Sequence, residues 1–268
     1  MDVPDAIALV RGVPDSFSEA LTLHEKPEAI DVAKAKQQHA AYVEQLKRLV
    51  PRVVEIAPDN RYPDCCFIED TAVVRGNSAL ITRPGNIARQ GEVTAVREKL
   101  QELGVQTTDT EPDATIDGGD VLQTRTHIFV GLSSRTNEAG VDALRKAFPD
   151  TPVVLLPVPS GLHLKSGLSW VGPNTLAVED SPEVLDIFKR IKKLLGQPEL
   201  HALRIRETGA ANALLVNGSL LYPRAYFRTS HNPYEGLSVP VYPIDMSEAH
   251  KADGGLTCGS ILIKRRPE

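Results

Sequence analysis

The chain has 268 residues, of which 41% are hydrophobic and 24% charged, and its formal net charge is −5. This composition is ordinary for a folded globular protein, and the negative charge excludes the broad basic surface with which proteins bind nucleic acid. No apolar run in the sequence approaches the roughly 20 residues of a membrane helix. We therefore expect neither nucleic acid nor a membrane as a partner.

The cysteines and the N-terminus indicate the compartment. Cys65, Cys66 and Cys258 cannot all pair, and two of them are adjacent, which argues against a disulfide framework and favours a reducing environment. The first five residues are acidic and lack the apolar stretch of a signal peptide. The expected location is cytoplasmic. The sequence has no Cys-x-x-Cys or His-x-x-x-His spacing, so no metal site is predicted.

The predicted elements recur in a fixed order along the chain. Apolar positions of helical period lie between residues 32 and 49, and an extended run follows at 53–56. Hairpins are then predicted where two short apolar stretches flank a polar turn, as at Asn217-Gly218. The hairpins lie at 71–82, 121–131, 169–178 and 213–222, and further extended runs lie at 105–107, 153–156, 201–205 and 239–243. A helical stretch precedes each of these runs, although the last stretch is short, around 233–237.

The repeating unit is therefore strand, strand, helix, strand. Its four plain copies begin near Ala72, Val121, Ser169 and Ala213, which are 49, 48 and 44 residues apart. A fifth copy is split across the termini, with 260–264 meeting 6–10. Such units bury their faces by packing on their neighbours, so five of them closing into a ring would form one domain over residues 1–268. Periodicity alone also allows an ordinary open α/β sheet.

Chemically unusual residues follow the last strand of each unit. Asp70, Asp117, His163, Asn212 and Cys258 stand 47, 46, 49 and 46 residues apart in succession. Equivalent positions in a closed ring converge at one end of its axis. The spacing therefore predicts a pocket that contains a thiol, an imidazole and several carboxylates.

The cysteines and the histidine each have a structural alternative. A single cysteine is usually a small buried hydrophobe, and this is the better interpretation of Cys65 and Cys66. Cys258 follows a Gly-Gly pair and a threonine at an element boundary, where loops present functional groups, so a nucleophile is favoured there. His163 lies between two leucines, a context typical of a core histidine, but its place in the repeat makes a catalytic role equally plausible.

The acidic residues also allow two interpretations. Asp117 and Asp120 flank two glycines that could simply mark a turn. Glu69 and Asp70 are adjacent, and neighbouring side chains on an extended segment face opposite ways, so one can be structural while the other faces the pocket. Phosphate binding at the Gly-Gly pairs is the weaker interpretation, because the sequence has no dinucleotide-binding or Walker pattern.

At these residues the sequence resembles the dimethylarginine dimethylaminohydrolases, a family of the pentein superfamily of guanidino-group-modifying proteins. The similar segments run in the family's order along essentially the whole chain. They are 63–70, 79–85, 116–120, 134–137, 162–166, 210–212 and 253–258. The resemblance implies the pentein fold, a five-fold pseudo-symmetric ββαβ propeller in a single α/β domain, which agrees with the repeat.

The resemblance implies a role for each matching residue. Cys258 would be the nucleophile, His163 the general acid and base, and Asp117 the carboxylate that orients the imidazole. The implied substrate-binding residues are Leu21, Asp64, Glu69, Asp70, Arg89, Arg135 and Asp253. Asp70 would grip the guanidinium, with Glu69 and Asp64 at further binding positions. Arg89 and Arg135 would hold the substrate carboxylate, Asp253 would lie beside its α-amino group, and Leu21 would belong to a lid.

The implied reaction converts Nω-methylated arginines to citrulline and a methylamine, without a metal or organic cofactor. The alternatives are an arginine deiminase, an amidinotransferase and a non-catalytic binding protein for cationic amino acids. Deiminases usually contain an inserted helical segment for which this chain has no room, and simple binding requires no thiol. A small-molecule substrate is the one expected partner, and the sequence does not indicate an oligomeric state.

Overall fold

The computed structural model describes residues 6–23, 29–158, 163–227 and 231–264. Within these ranges the strands are β1 (Ala6–Arg11), β2 (Arg52–Ile56), β3 (Ala72–Arg75), β4 (Ser78–Ile81), β5 (Gln106–Asp109), β6 (Val121–Gln123), β7 (Ile128–Leu132), β8 (Val153–Pro157), β9 (Leu168–Gly172), β10 (Thr175–Glu179), β11 (His201–Ile205), β12 (Leu214–Val216), β13 (Ser219–Pro223), β14 (Val241–Ile244) and β15 (Ile261–Lys264). The α-helices there are α1 (Val32–Leu49), α2 (Val93–Glu102), α3 (Glu138–Ala147), α4 (Leu164–Gly167), α5 (Pro182–Leu195) and α6 (Ser247–His250). None of these described helices is long and apolar enough to cross a membrane.

The strands form five sheets of three, each with the same pattern. The orders are β15-β1-β2, β3-β4-β5, β6-β7-β8, β9-β10-β11 and β12-β13-β14. In every sheet the central strand pairs antiparallel with one neighbour and parallel with the other. A parallel pair needs a crossover connection, and α1, α2, α3 and α5 supply it in four sheets. In the fifth sheet the described part of the crossover contains short 3-10 helices, among them Pro233–Gly236, so the predicted unit and its weak last helix are confirmed.

The split unit is also confirmed. Strand β15 pairs antiparallel with β1, with Ala6 opposite Lys264 and Leu9 opposite Ile261. Strand β1 in turn pairs parallel with β2 across α1. The two ends of the described chain therefore lie in one sheet.

Each central strand faces two neighbouring sheets, because successive side chains point to opposite faces. In β1, Ile7 and Leu9 pack with residues of β3 and β4, whereas Ala8 and Val10 pack with residues of β12 and β13. Other apolar clusters join the second sheet to the third, the third to the fourth and the fourth to the fifth. Every sheet is thus packed against two others.

Local signals fix where the crossover helices begin. The Asp31 side chain accepts a hydrogen bond from the Lys34 amide at the start of α1, and Asn137 accepts one from Gly140 at the start of α3. Ser181 caps α5 in the same way, with Pro182 in its first turn. Each crossover helix lies between the hairpin and the parallel strand of its unit, which leaves the turns that follow the parallel strands to carry the site.

Candidate active site

Most of the expected site residues line a single pocket. Eight of them contribute to its wall: Leu21, Asp64, Asp70, Arg89, Arg135, His163, Asp253 and Cys258. The remaining two, Asp117 and Glu69, contact this wall from behind, through His163 and through the turn that carries Cys258. The pocket therefore contains the thiol, the imidazole and the carboxylate that the repeat spacing predicts.

Equivalent turns of the repeat position these groups. Asp70 lies in the 3-10 helix Ile68–Thr71, and Cys258 lies in the 3-10 helix Thr257–Gly259. Asp117 directly precedes the 3-10 helix Gly118–Asp120, and His163 directly precedes α4. Each turn leads from the third strand of one unit into the hairpin of the next. The whole set consequently converges, as the ring argument requires of equivalent positions.

His163 is held between two carboxylates. Its Nε2 lies 2.9 Å from Oδ2 of Asp117 and 3.9 Å from Oδ1 of Asp70. Oδ1 of Asp117 accepts a hydrogen bond from the Gly85 amide at 2.8 Å, which fixes the carboxylate behind the ring. Gly119 lies against the imidazole so closely that a β-carbon there would be 2.6 Å from Nδ1. The glycine that looked like part of a turn thus makes room for the histidine.

The carboxylates decide the charge of the imidazole. Burial alone would lower the pKa of His163, but the negative charges of Asp70, Asp117 and Asp120 outweigh it and raise the pKa to about 9. Burial would likewise raise the pKa of Asp70, but His163, Arg89 and the Gly119 amide together lower it to about 2. At neutral pH the site therefore contains an imidazolium beside an ionised carboxylate.

Arg89 is anchored beneath the pocket. Its Nη1 donates to Oδ2 of Asp70 at 2.6 Å, and its Nε and Nη2 donate to the two oxygens of Glu92 at 3.0 and 2.9 Å. Nη2 also donates to the Phe67 carbonyl at 2.9 Å. Burial raises the pKa of Glu92 to about 7 despite the opposing charge of Arg89. Of the five N–H groups of the guanidinium, one on Nη1 is left to meet a ligand within the described part of the chain.

A short N-terminal segment lies over the pocket. The Leu21 amide donates to the Asp64 carboxylate at 3.2 Å, and the Leu23 amide donates to Oδ2 of Asp253 at 2.6 Å. The Arg135 side chain lines the same opening and makes no ion pair with the described residues. This end of the pocket thus presents an arginine and two carboxylates that are bridged by the segment at 21–23.

Burial and negative charge favour the protonated form of the Cys258 thiol. Burial is the main cause that raises the pKa of its thiol to about 12, and the charges of Glu69 and Asp70 act in the same direction. The Gly255 amide donates to Sγ at 3.3 Å, and Lys165 also favours the thiolate. The nearby carboxylates that suit a cationic ligand therefore disfavour the thiolate until such a ligand arrives.

Asp70, Asp117 and His163 are also the described group closest to a metal-binding geometry, since each offers a ligand atom within 4.8 Å of the others. All four carboxylate oxygens, however, already accept hydrogen bonds, from Arg89 and Gly119 in one case and from His163 and Gly85 in the other. This donor set suits a charged imidazole better than a metal ion.

Comparison with known proteins identifies the family. The family model for eukaryotic N,N dimethylarginine dimethylhydrolase matches residues 10–180. The N(G),N(G)-dimethylarginine dimethylaminohydrolase of Streptomyces coelicolor is 35% identical, over 98% of this chain and 98% of that protein. The chain belongs to the dimethylarginine dimethylaminohydrolase family.

Further similarity extends to a bovine relative and to a solved structure. The Bos taurus "Putative hydrolase DDAH2" is 34% identical over 97% of this chain and 95% of the relative. A cysteine-to-serine mutant of the Pseudomonas aeruginosa dimethylarginine dimethylaminohydrolase, complexed with citrulline, superposes with a TM-score of 0.83 and 29% identity. That alignment covers 96% of this chain and 98% of the other.

A set of supporting residues lies behind the pocket wall. The repeat spacing had placed Asn212 among the converging residues, whereas Lys165, Thr257 and Thr136 were given no role from sequence. Lys165 and Thr257 both donate to the Glu69 carboxylate, and Asn212 donates to Thr257. Asp120 accepts hydrogen bonds from Thr136 and from the Leu164 amide, which fixes the residue after His163. Lys165 stands two residues after His163 in a segment already similar to the family, and this proximity was the available signal. Leu162, at the start of that segment, lies outside the described residues.

Proposed function

We propose that this protein hydrolyses Nω-methylated arginines to citrulline and dimethylamine or methylamine. The observation that carries the proposal is the convergence of Cys258, His163 and Asp70 in one pocket whose wall also includes Arg135 and Asp253. A zwitterionic amino acid with a cationic side chain complements this arrangement of charges. The family membership supports the same reaction, and the citrulline complex of the P. aeruginosa relative supports the product.

The proposal includes the architecture and the location. The five sheets close into a five-fold ββαβ propeller, and residues 1–268 form its single catalytic domain. Support comes from the apolar clusters, which link each sheet to the next and the fifth to the first. The protein acts in the cytoplasm, since Cys65, Cys66 and Cys258 are all unpaired, as a reducing compartment would keep them.

The substrate is oriented by charge at both of its ends. Asp70 receives the guanidinium, while Glu69 and Asp64 add negative charge around it. Arg135, with the remaining N–H of Arg89, binds the α-carboxylate, and Asp253 binds the α-amino group. Leu21 covers the bound molecule. This arrangement directs the guanidinium carbon toward Cys258.

The first half of the reaction forms a covalent intermediate. A bound guanidinium favours ionisation of the Cys258 thiol, which releases its proton to water, since an opposite charge stabilises the ionised form. The thiolate attacks the guanidinium carbon to give a tetrahedral adduct. Protonated His163 donates its proton to the methylated nitrogen, the C–N bond breaks, and the amine leaves. A thiouronium then links the carbon to Sγ, and Asp117 holds the neutral imidazole in place.

The second half regenerates the free protein. Neutral His163 takes a proton from water, and the resulting hydroxide attacks the thiouronium carbon. The hydroxyl proton of the resulting adduct passes to sulfur as the C–S bond breaks, which gives citrulline and the Cys258 thiol, with His163 protonated again. This chemistry is complete with the groups of the chain and one water molecule.

The deciding experiment measures citrulline and amine release from asymmetric dimethylarginine, monomethylarginine and arginine at matched concentration. Turnover of the methylated substrates with little from arginine is the expected result. Preference for arginine would instead assign a deiminase. Cys258→Ser is the matched control, since it should bind substrate without turnover. An absence of product with all three substrates would reject the proposal and favour a binding protein.

A further inference from the structure

A closed ring of hydrogen bonds lies behind the nucleophile. The Lys165 ammonium donates to Oε1 of Glu69, and the Thr257 hydroxyl donates to Oε2 of Glu69 at 2.8 Å. Asn212 Nδ2 donates to the Thr257 hydroxyl at 3.1 Å and to the Lys165 carbonyl at 3.0 Å, which closes the ring. The side-chain Oδ1 of Asn212 also accepts a hydrogen bond from the Thr257 amide at 2.9 Å. These contacts join four turns of the repeat at the residue that precedes Cys258.

The ring contains a mostly buried ion pair and fits closely against the turn that carries Cys258. The Glu69 carboxylate and the Lys165 side chain are each only 12% exposed, so a charge left unpaired there would be costly. Gly255 fits against the Asn212 amide with no room for a side chain, since a β-carbon would lie 2.3 Å from it. The ring therefore holds the nucleophile turn on both sides, at Gly255 and at Thr257.

The groups around the thiol are of both signs. Glu69 and Asp70 disfavour the thiolate and Lys165 favours it, while Tyr42 packs against the turn from α1. The pocket wall adds His163, Asp64, Arg89, Arg135 and Asp253. Lys165 is the cation paired with the carboxylate directly behind the nucleophile, whereas Arg89 is paired with Asp70 and Glu92.

We infer that Lys165 is a positioning residue for the nucleophile: its ammonium neutralises Glu69 and, through Glu69 and Thr257, fixes the turn that carries Cys258. Glu69 then acts on the reaction through Thr257 as well as through its own charge. The inference rests on the proposed function only in taking Cys258 as the nucleophile.

The test alkylates Cys258 with iodoacetamide over a series of pH values, without substrate, and follows the Cys258 peptide by mass spectrometry. Lys165→Met should raise the apparent pKa of the thiol, because Glu69 loses its counter-charge. Glu69→Gln should lower it, because the lysine charge is left unopposed. A shift of about half a pH unit either way corresponds to a roughly threefold change in alkylation rate at neutral pH. The double variant should return close to the wild type.

Opposite shifts from the two halves of one ion pair cannot arise from a general loss of structure. Shifts of the same sign, or none in either variant, would overturn the inference. Lys99→Met removes a half-buried lysine that pairs with Glu102 on α2, and it should leave the alkylation profile unchanged. Thermal unfolding followed by circular dichroism establishes that each variant is folded, and Lys165→Arg, which keeps the charge, should retain the wild-type profile.

The mechanical part of the inference is tested at Thr257. Thr257→Val keeps the shape of the side chain but removes the hydroxyl link to Glu69, and it should lower kcat by at least about tenfold with little change in KM. Thr257→Ser restores the link and should recover most of the rate. Equal kcat in the two variants would reject the role of the hydroxyl. Because alkylation needs no substrate, failure of the methylarginine assay leaves the Lys165 experiment fully readable.

Discussion

Asp253 occupies a backbone conformation that ordinarily favours glycine. Its φ is +57°, its amide donates to the His250 carbonyl at 3.0 Å, and the Gly254 amide donates to the Ala249 carbonyl at 3.0 Å. This is the Schellman ending of α6, in which glycine usually takes the left-handed position. Aspartate tolerates this region better than most residues but gains no stability from it. Its carboxylate, which lines the pocket, therefore points to a functional reason for its presence.

Replacing Asp253 by glycine should separate function from folding. We expect the free energy of unfolding of Asp253→Gly in urea to stay within about 1 kcal/mol of the wild type, because the turn accepts glycine. KM for methylarginine should rise at least about tenfold, since the α-amino group loses its counter-charge. Asp253→Asn keeps the size of the side chain but also removes the charge, so its KM should be raised as much as that of Asp253→Gly. Unchanged KM in both variants would remove Asp253 from the binding site.

Gly119 is required by the His163 ring rather than by backbone conformation. A β-carbon at this position would be 2.6 Å from Nδ1 of His163 and 2.9 Å from Oδ1 of Asp70. Gly119→Ala should therefore displace the imidazole and lower kcat by on the order of a hundredfold, the usual cost of a small misplacement of a reacting group. Gly236→Ala is the matched control, because its β-carbon would meet no atom within 4 Å. Similar kinetics of the two variants would contradict this account.

At the residue scale, the sequence predicted which groups meet but not what holds them. The even spacing from Asp70 to Cys258 predicted a shared pocket, and burial of Cys65 and Cys66 confirmed that they pack in the core. The Glu69–Thr257 contact joins residues 188 positions apart, and nothing local in the sequence indicates it. Such contacts depend on how units are stacked, which spacing does not report. The catalytic and substrate-binding roles assigned to the individual site residues, Leu21, Arg135 and Asp253 among them, stay predictions.

At the element scale, α1 is coupled to the nucleophile turn through one hydroxyl. The buried Tyr42 of α1 donates to the Leu256 carbonyl at 3.2 Å and shares a 2.8 Å hydrogen bond with the Ser260 hydroxyl. Both partners flank the 3-10 helix that carries Cys258. Helix α1 therefore helps to position this turn, in addition to packing against its own sheet.

Removing the Tyr42 hydroxyl should weaken the fold and the site together. Tyr42→Phe leaves a buried carbonyl without its donor, so the free energy of unfolding in urea should fall by about 1–3 kcal/mol. We also expect a lower kcat, because the turn loses a support. Tyr242→Phe, on β14 in the same apolar cluster but only partly buried, serves as the comparison. An equal loss of stability in both variants would contradict a specific role of the Tyr42 hydroxyl in supporting the turn that carries Cys258.

The order of the elements was predictable, whereas their ends were not. The hairpins and the split unit followed from turn residues and from the alternation of apolar side chains. The sequence pattern placed an extended run at 105–107, but strand β5 spans Gln106–Asp109, because pairing with β4 and not hydrophobicity decides where it ends. Helix α6 was not predicted, since its four residues are too few to show a helical period.

At the scale of the whole molecule, the charged site affects stability as well as chemistry. The folded-state pKa of His163 is about 9, above its ordinary value of 6.5. Protonation of His163 therefore stabilises the fold fully below about pH 6.5, and this contribution is lost as the pH rises through about 9. The lowered pKa of Asp70 acts at the other limit: its contribution is present above 3.8 and is lost as the pH falls through about 2.

This linkage predicts a difference between the wild type and His163→Gln. The free energy of unfolding of the wild type should fall more steeply than that of the variant as the pH rises from 6.5 toward 9. Urea unfolding at several pH values provides both curves, and their difference isolates His163 from the other groups that titrate. Parallel curves would mean that the carboxylates do not raise the pKa of the imidazole.

The pairing of β15 with β1 imposes an order on folding during synthesis. The four sheets other than β15-β1-β2 consist of strands that are consecutive in the sequence, so they can form as the chain leaves the ribosome. Ala6, in contrast, cannot pair until Lys264 has been synthesised, 258 residues later. Until then β1 has an unpaired edge, which is a hazard for aggregation. Cys258 arrives three residues before the closing strand begins. A nascent chain therefore contains Cys258 only shortly before β15 can pair with β1, and a chain that stops before Cys258 lacks both the thiol and this pairing.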